Sequence, residues 1–142
     1  MPEIQARLAT KMDAIELARL NQEFNGGEEI VPEKIIEHLM TSDEIVVVAT
    51  LDEKVVGFAC GQSFNSFCYS SAVGEITELY VEKNARRLGL ANMMISVLEE
   101  ELISRGVKFM KILTGSKNEA AITTYRKSHY VIDEVVVLEK EL

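Results

Sequence analysis

Gly74-Glu75-Ile76-Thr77-Glu78-Leu79-Tyr80-Val81 reads as a strand, and Val107-Lys108-Phe109-Met110-Lys111-Ile112-Leu113 reads as another. Both are rich in apolar and β-branched or aromatic residues and are bounded by turn formers. Between them lies an amphipathic run from about Arg87 to Ser104. Leu90, Met93, Met94, Val97, Leu98 and Leu102 recur there at helical spacing, and Gly106 supplies a stop. A strand, a helix and a strand in this order make a parallel crossover, which sterics favour as right-handed.

Working outward, the upstream chain has a different character. Ile4, Ala6 and Leu8 alternate with polar residues as in a half-buried strand. Thr10 and Asp13 have the spacing of a capping box. Ile15, Leu17, Ala18, Leu20 and Phe24 then give a helical stripe that ends at Asn25-Gly26-Gly27. Pro32 opens a second short helix carrying Ile35, Ile36, Leu39 and Met40 on one face. Ile45 to Leu51 and Val55 to Phe64 flank Asp52-Glu53-Lys54 as an antiparallel hairpin. Downstream, Asn118 to Lys127 reads as a short helix, and Val131 to Leu138 as a strand that closes the sheet. The expected fold is α+β, a three-layer α/β/α arrangement. Its sheet is mixed and mostly antiparallel, around the central parallel crossover. At 142 residues the chain is expected to form one domain, 1–142.

Composition narrows the function classes. With 47% hydrophobic residues and only 2 Pro and 8 Gly, the chain is built for a packed core. No apolar run approaches the ~18 residues of a membrane span, and the first residues lack the order of a signal peptide, so a cytoplasmic protein is expected. Cys60 and Cys68 have no CxxC or His-rich setting, so no metal is expected and both read as reduced thiols. The net charge of -8 disfavours nucleic acid and anionic membranes as partners. The charge is uneven, however. Between Lys83 and Lys127 stand nine basic residues against four acidic ones. Scattered cations can simply solvate helix faces, but a polyanionic small ligand would also suit that stretch.

Arg86-Arg87-Leu88-Gly89-Leu90-Ala91 lies where the strand passes into the helix. A helix N-terminus presents unpaired N–H groups and the positive end of a dipole, and the small residues Gly89 and Ala91 let a phosphate come close. The spacing is neither a dinucleotide fingerprint nor a Walker loop. It does match [Q/R]-x-x-G-x-[G/A] through Arg86, Gly89 and Ala91. Further on, Asn118, Ala121, Tyr125, Lys127 and Tyr130 fall on N-x-x-A-x-x-x-Y-x-K-x-G-[FY], with His129 where that pattern has Gly. In both motifs the chain resembles the GNAT superfamily of acyl-CoA-dependent N-acyltransferases. A looser likeness points to small aminoglycoside N-acetyltransferases.

The resemblance implies acetyl-CoA as co-substrate. The backbone of Leu79, Tyr80 and Val81 would pair with the pantetheine arm where the fourth and fifth strands splay. Amides from Arg87 through Leu88, Gly89, Leu90, Ala91 and Asn92 would hold the pyrophosphate beside Arg86. Asn118, with Ala121 on the same helix, would meet the pantetheine or the adjoining loop, and Tyr125 would lie near the thioester sulfur.

A primary amine has a pKa near 10, so a base must free its lone pair at neutral pH. Glu75 and Glu78 are the candidates. Alternation sets them on opposite faces unless a bulge intervenes, and the sequence does not choose between them. Tyr125 fits a general acid for the departing thiol, with direct attack and no covalent intermediate. The two cysteines have no evident base, and His38 and His129 form no triad. Phe24, Glu28 and Glu29 lie in the first-helix region that shapes the acceptor entrance in the resembled family. Their acidity suggests a cationic acceptor, an aminoglycoside, polyamine or basic peptide end. Phe64, Phe67 and Tyr69 would line the pocket or cover the core edge. The alternative is a non-catalytic acyl-CoA-binding sensor or interaction module, for which His129 is the main support. The apolar closing strand leaves a homodimer open.

Overall fold

Val47, Val48 and Ala49 are wholly buried because their strand, β2 (Ile45–Leu51), is covered on both faces. That is why Ile45-Val46-Val47-Val48-Ala49 shows no polar alternation. The computed structural model describes all 142 residues. β1 (Ile4–Leu8) leads into a 3-10 turn at Lys11–Asp13, then α1 (Ala14–Asn25) and α2 (Pro32–Thr41). After β2 come β3 (Lys54–Phe64), β4 (Ala72–Val81), a 3-10 turn at Lys83–Ala85, α3 (Leu90–Ser104), β5 (Val107–Ile112) and α4 (Glu119–Lys127). The sheet runs β1-β2-β3-β4-β5, antiparallel as far as β4 and parallel between β4 and β5. The expected mixed sheet and its parallel crossover are therefore present.

Two apolar clusters make the three layers. On one face α3 buries Leu90, Met94, Ile95, Leu98 and Leu102 against all five strands. Each such side chain is worth about 1.5–3 kcal/mol in area removed from water. A Cβ at Gly61 would stand 3.1 Å from Leu98 Cδ2, so that glycine lets the helix lie close on the sheet. On the other face Leu17 and Leu20 of α1 pack on Val48, Val55, Phe58 and Cys60, with Ile35 and Leu39 of α2 at the margin. The Thr10–Asp13 capping box forms as expected. Buried Asp13 also takes two hydrogen bonds from Arg7, at 2.8 and 2.9 Å, which fasten β1 to the start of α1.

Four expectations need correction. α3 begins at Leu90 rather than near Arg87, because Arg87 (φ +66°) and Gly89 (φ +83°) are left-handed and cannot continue a right-handed helix. Residues 131–138 form no strand; they make no backbone–backbone hydrogen bond and their apolar side chains are exposed. Phe64, Phe67 and Tyr69 belong to neither apolar cluster and are exposed around the β3–β4 connection. Ile15 and Met40 sit on the outer sides of their helices.

Candidate functional site

The site follows from where β4 loses its neighbour. β5 pairs with β4 only from Ala72↔Val107 to Ile76↔Ile112, after which the chain turns away through Leu113 and Thr114 towards α4. Residues 77–81 keep β3 on one side and face an open cleft on the other. The cleft, about 1110 Å³, is bounded by this half-free strand, the start of α3 and the body of α4.

A bulge in β4 fixes which side chains look where. Cys60 pairs with Glu78 and Gly61 with Ile76, so Thr77 has no opposite residue, and its hydroxyl donates to the Cys60 carbonyl at 3.3 Å. Paired residues share a face. Cys60 belongs to the α1/α2 face, and so therefore do Glu78 and Tyr80; Glu75, opposite Gln62, lies on that face too. The bulge thus brings the two carboxylates to one side. They differ in partners. Glu75 stands across from Lys111 of β5, with Nζ 3.4 Å from Oε1, and is not among the cleft residues. Glu78 lines the cleft and has no hydrogen bond or ion pair within the chain. Burial, and then the charge of Glu44, push its carboxyl above the usual carboxylate range. Glu44 itself is 2.7 Å from Nε2 of His38.

The start of α3 supplies donors. The first hydrogen bond of the helix runs from the Met93 N–H to the Gly89 carbonyl, so the amides of Leu90, Ala91 and Asn92 lack intrahelical partners. Gly89 is the left-handed N-cap, and a Cβ there would project into open space. Arg87, Leu88 and Gly89 are exposed around it. Arg86 points back: its Nε donates to the Val81 carbonyl at 2.8 Å and its guanidinium lies 5.8 Å from the Tyr80 ring centre. Tyr80 also stacks on Phe24, with centroids 5.0 Å apart, and Phe24 lines the cleft.

α4 closes the other side. Asn118 is its N-cap and accepts from the Ala121 N–H, so its side-chain oxygen is occupied by the helix itself. Asn92 donates to the Thr124 carbonyl and the Ser128 hydroxyl, at 2.9 and 2.6 Å, which holds α4 against α3. Tyr125 is half-buried on the cleft wall, and its hydroxyl makes no hydrogen bond within the chain. Burial raises its pKa, so it is a protonated donor at neutral pH. At the end of α4, His129 adopts φ +71°; its N–H donates to Arg126 and that of Tyr130 to Tyr125. That is a complete Schellman cap with histidine in the glycine position. The left-handed turn is thus made with histidine where the resembled pattern has Gly.

Other expected participants lie elsewhere. Glu28 and Glu29 are exposed on the α1–α2 connection and do not border the cleft. Glu23 receives Arg19 at 2.7 Å and lies 3.5 Å from the Tyr80 hydroxyl. Arg19 also binds Glu16 and Glu82, which offsets part of the acidity near the cleft entrance. Cys60 is buried, and its burial, with Glu44 and Glu78 nearby, lifts the thiol far above its ordinary pKa, leaving it a poor nucleophile. No group of three or more His, Cys, Asp or Glu side chains is placed to hold a metal ion.

The chain is similar to known acetyltransferases. A family model described as "Acetyltransferase (GNAT) family" matches residues 12–130. An acetyltransferase of Yersinia pestis is 33% identical over 112 residues, covering 78% of this chain and 75% of that protein. Among solved structures, an aminoglycoside acetyltransferase from an uncultured soil metagenomic sample, in complex with sisomicin, superposes with a TM-score of 0.84. It is 19% identical and covers 98% of this chain and 96% of its own. The aminoglycoside acetyltransferase AAC(6')-Iy, in complex with the bisubstrate analogue CoA-S-monomethyl-acetylneamine, gives a TM-score of 0.85 at 18% identity. Each of those two chains is covered to 99%. At such identities the two structures establish the fold.

Proposed function

The chain belongs to the acetyltransferase (GNAT) family, and on that premise we propose that it moves an acetyl group from acetyl-CoA to a primary amine of a cationic acceptor by direct attack. The observation that carries the reading is the half-free strand. Residues 77–81 of β4 offer backbone groups to a cleft whose two ends hold unpaired α3 amides and an unpartnered tyrosine.

Acetyl-CoA brings the activated thioester, and the residues fit it. The free edge at Leu79 and Tyr80 can pair with the amide-bearing pantetheine arm, as an added strand does. Val81 contributes less, since Arg86 already occupies its carbonyl. The amides of Leu90, Ala91 and Asn92 suit the pyrophosphate, and the open space at Gly89 admits it. Arg87 and Lys127, both on the cleft wall, add positive charge for the phosphates.

Glu78 removes the proton from the acceptor ammonium. Its raised pKa brings it nearer the operating pH, where a base works best. The freed nitrogen bonds to the acetyl carbonyl carbon as the carbon–sulfur bond breaks, and the second proton shed by the new amide nitrogen goes to the departing thiolate, which leaves as coenzyme A thiol. The Tyr125 hydroxyl donates a hydrogen bond to the departing sulfur. Because burial raises the Tyr125 pKa, that hydrogen bond, rather than complete loss of the proton, is the larger part of its role.

For the acceptor, the support is charge and likeness. Residues 1–71 carry 12 acidic and 5 basic side chains, and Phe24 with Glu23 stands at the α1 side of the cleft. The solved structures named above, of the soil-metagenome aminoglycoside acetyltransferase and of AAC(6')-Iy, hold sisomicin and the bisubstrate analogue CoA-S-monomethyl-acetylneamine. Thiol release from acetyl-CoA, measured with aminoglycosides, polyamines and basic peptides beside an acceptor-free control, tests the proposal. Turnover with one cationic class is expected. Turnover confined to neutral or acidic amines would overturn the acceptor, and tight binding without turnover on any amine would overturn the reaction.

A further inference from the structure

Asn92 takes part in two elements. Its backbone N–H is one of the α3 amides without an intrahelical partner, on the wall of the cleft, whereas its side chain leaves α3 and reaches α4. There it grips both sides of Tyr125. Nδ2 donates to the Thr124 carbonyl at 2.9 Å and to the Ser128 hydroxyl at 2.6 Å, which uses both N–H donors of the amide. The Thr124 carbonyl is free to accept because the Ser128 N–H donates to Tyr125 instead, as does the Tyr130 N–H. Little else fixes this helix. None of the α4 side chains is fully buried, and the remaining side-chain hydrogen bond to α3, from Tyr130 to Glu99, lies beyond the helix end. Tyr125 itself packs at the edge of the core cluster, and its hydroxyl makes no hydrogen bond within the chain, so the phenol points where α4 carries it.

We propose that the Asn92 side chain is a positioning residue for Tyr125, which, given the role of Tyr125 in the reaction above, ties the phosphate-binding end of α3 to the group that meets the thioester sulfur. The cofactor makes that tie useful. Its pyrophosphate and its sulfur belong to one molecule, joined by the pantetheine arm, so a hydroxyl held by the phosphate-binding helix is held relative to the sulfur as well. A displacement of about 1 Å at a reacting group can cost ~100-fold in rate, and a helix with so little buried surface would drift by that much without the grip. The two parts of Asn92 also divide the work. Its backbone serves the phosphates and its side chain serves Tyr125, so a substitution can remove the second and keep the first.

The test is a double-substitution cycle on the full chain. Asn92→Ala should lower kcat by about 10- to 100-fold while acetyl-CoA affinity, measured by calorimetry, changes by less than about threefold, because the backbone N–H is retained. In the Tyr125→Phe background the same substitution should cost less than about twofold, since the hydroxyl through which it acts is already gone. A full loss in that background would mean that Asn92 merely braces α4, and the proposal would fall. An unchanged kcat in Asn92→Ala, or a loss matched by an equal fall in affinity, would also overturn it. If circular dichroism shows that Asn92→Ala does not fold, Ser128→Ala, which removes one of the two bonds, is judged by the same cycle with a smaller loss expected. Should Tyr125→Phe alone leave kcat unchanged, the reading of the reaction fails instead. The positioning of Tyr125 is then decided by NMR of isotope-labelled tyrosine: its ring signal should move in Asn92→Ala while those of Tyr69 and Tyr80 stay, and an unmoved Tyr125 signal would overturn the proposal.

Discussion

From residue 72 to residue 76, β4 carries β5 along its outer edge; from 77 to 81 it carries none. The inner edge is the same throughout, bonded to β3. In the paired half, Glu75 meets Lys111 and is spent on an ion pair that holds the two strands in register. In the unpaired half, Glu78 faces a cleft with no cation beside it and a pKa raised by burial and by Glu44. The two carboxylates are three residues apart on one face, yet one neutralises a neighbour and the other is available to a ligand. On the proposed function, chemical competence comes from interrupting the sheet, and the bulge at Thr77 sets which carboxylate falls beyond the interruption.

The comparison breaks most directly if the carboxylates are exchanged in importance. Glu78→Gln should lower kcat/KM by roughly 10²–10⁴, the usual worth of a general base, while Glu75→Gln changes it by less than about threefold. Equal losses would dissolve the distinction. The pH profile sharpens it. Glu78 must be ionised to accept a proton, so kcat/KM should rise with pH through a midpoint above the ordinary carboxylate value. Glu44→Gln, which removes the neighbouring charge that raises that pKa, should move the midpoint down.

Gly89→Asp tests the other end of the cleft. A left-handed non-glycine residue costs about 1–2 kcal/mol, and the new carboxylate would face the phosphates, so acetyl-CoA affinity measured by calorimetry should fall by at least ~10-fold. Unchanged affinity would put the phosphates elsewhere. The smallest effect is expected at His129→Gly. Relieving the strained φ of +71° should stabilise the fold by about 1 kcal/mol in denaturant titration, with turnover unaltered because the cap that positions Tyr125 is already formed. A large change in turnover would mean that the histidine side chain does more than cap α4.

The crossover was legible because its signals are local. The stripe on α3, the turn signal at Gly106 and the anion-binding spacing through Arg86, Gly89 and Ala91 all survive in the structure, although left-handed Arg87 delays the helix to Leu90. The choice between Glu75 and Glu78 was not legible. It depends on Thr77 having no partner in β3, and a bulge is a property of two paired strands that no single strand announces. Residues 131–138 show the same limit from the other side: the pattern of a strand was correct in kind, but a strand exists only with a neighbour, and within one chain this segment has none. His129 departs from the glycine of the family pattern, yet it takes the same left-handed turn, because the two cap hydrogen bonds and the packing of Tyr130 on α3 hold it there.

The central claim is that the cofactor lies along the half of β4 that β5 has left. Amide exchange of the full chain, with and without acetyl-CoA, tests it. The account predicts slower exchange at those amides of residues 77–81 that face the cleft and at Leu90, Ala91 and Asn92, with no change at residues 72–76. Protection confined to other elements, or protection spread evenly over both halves of β4, would contradict it.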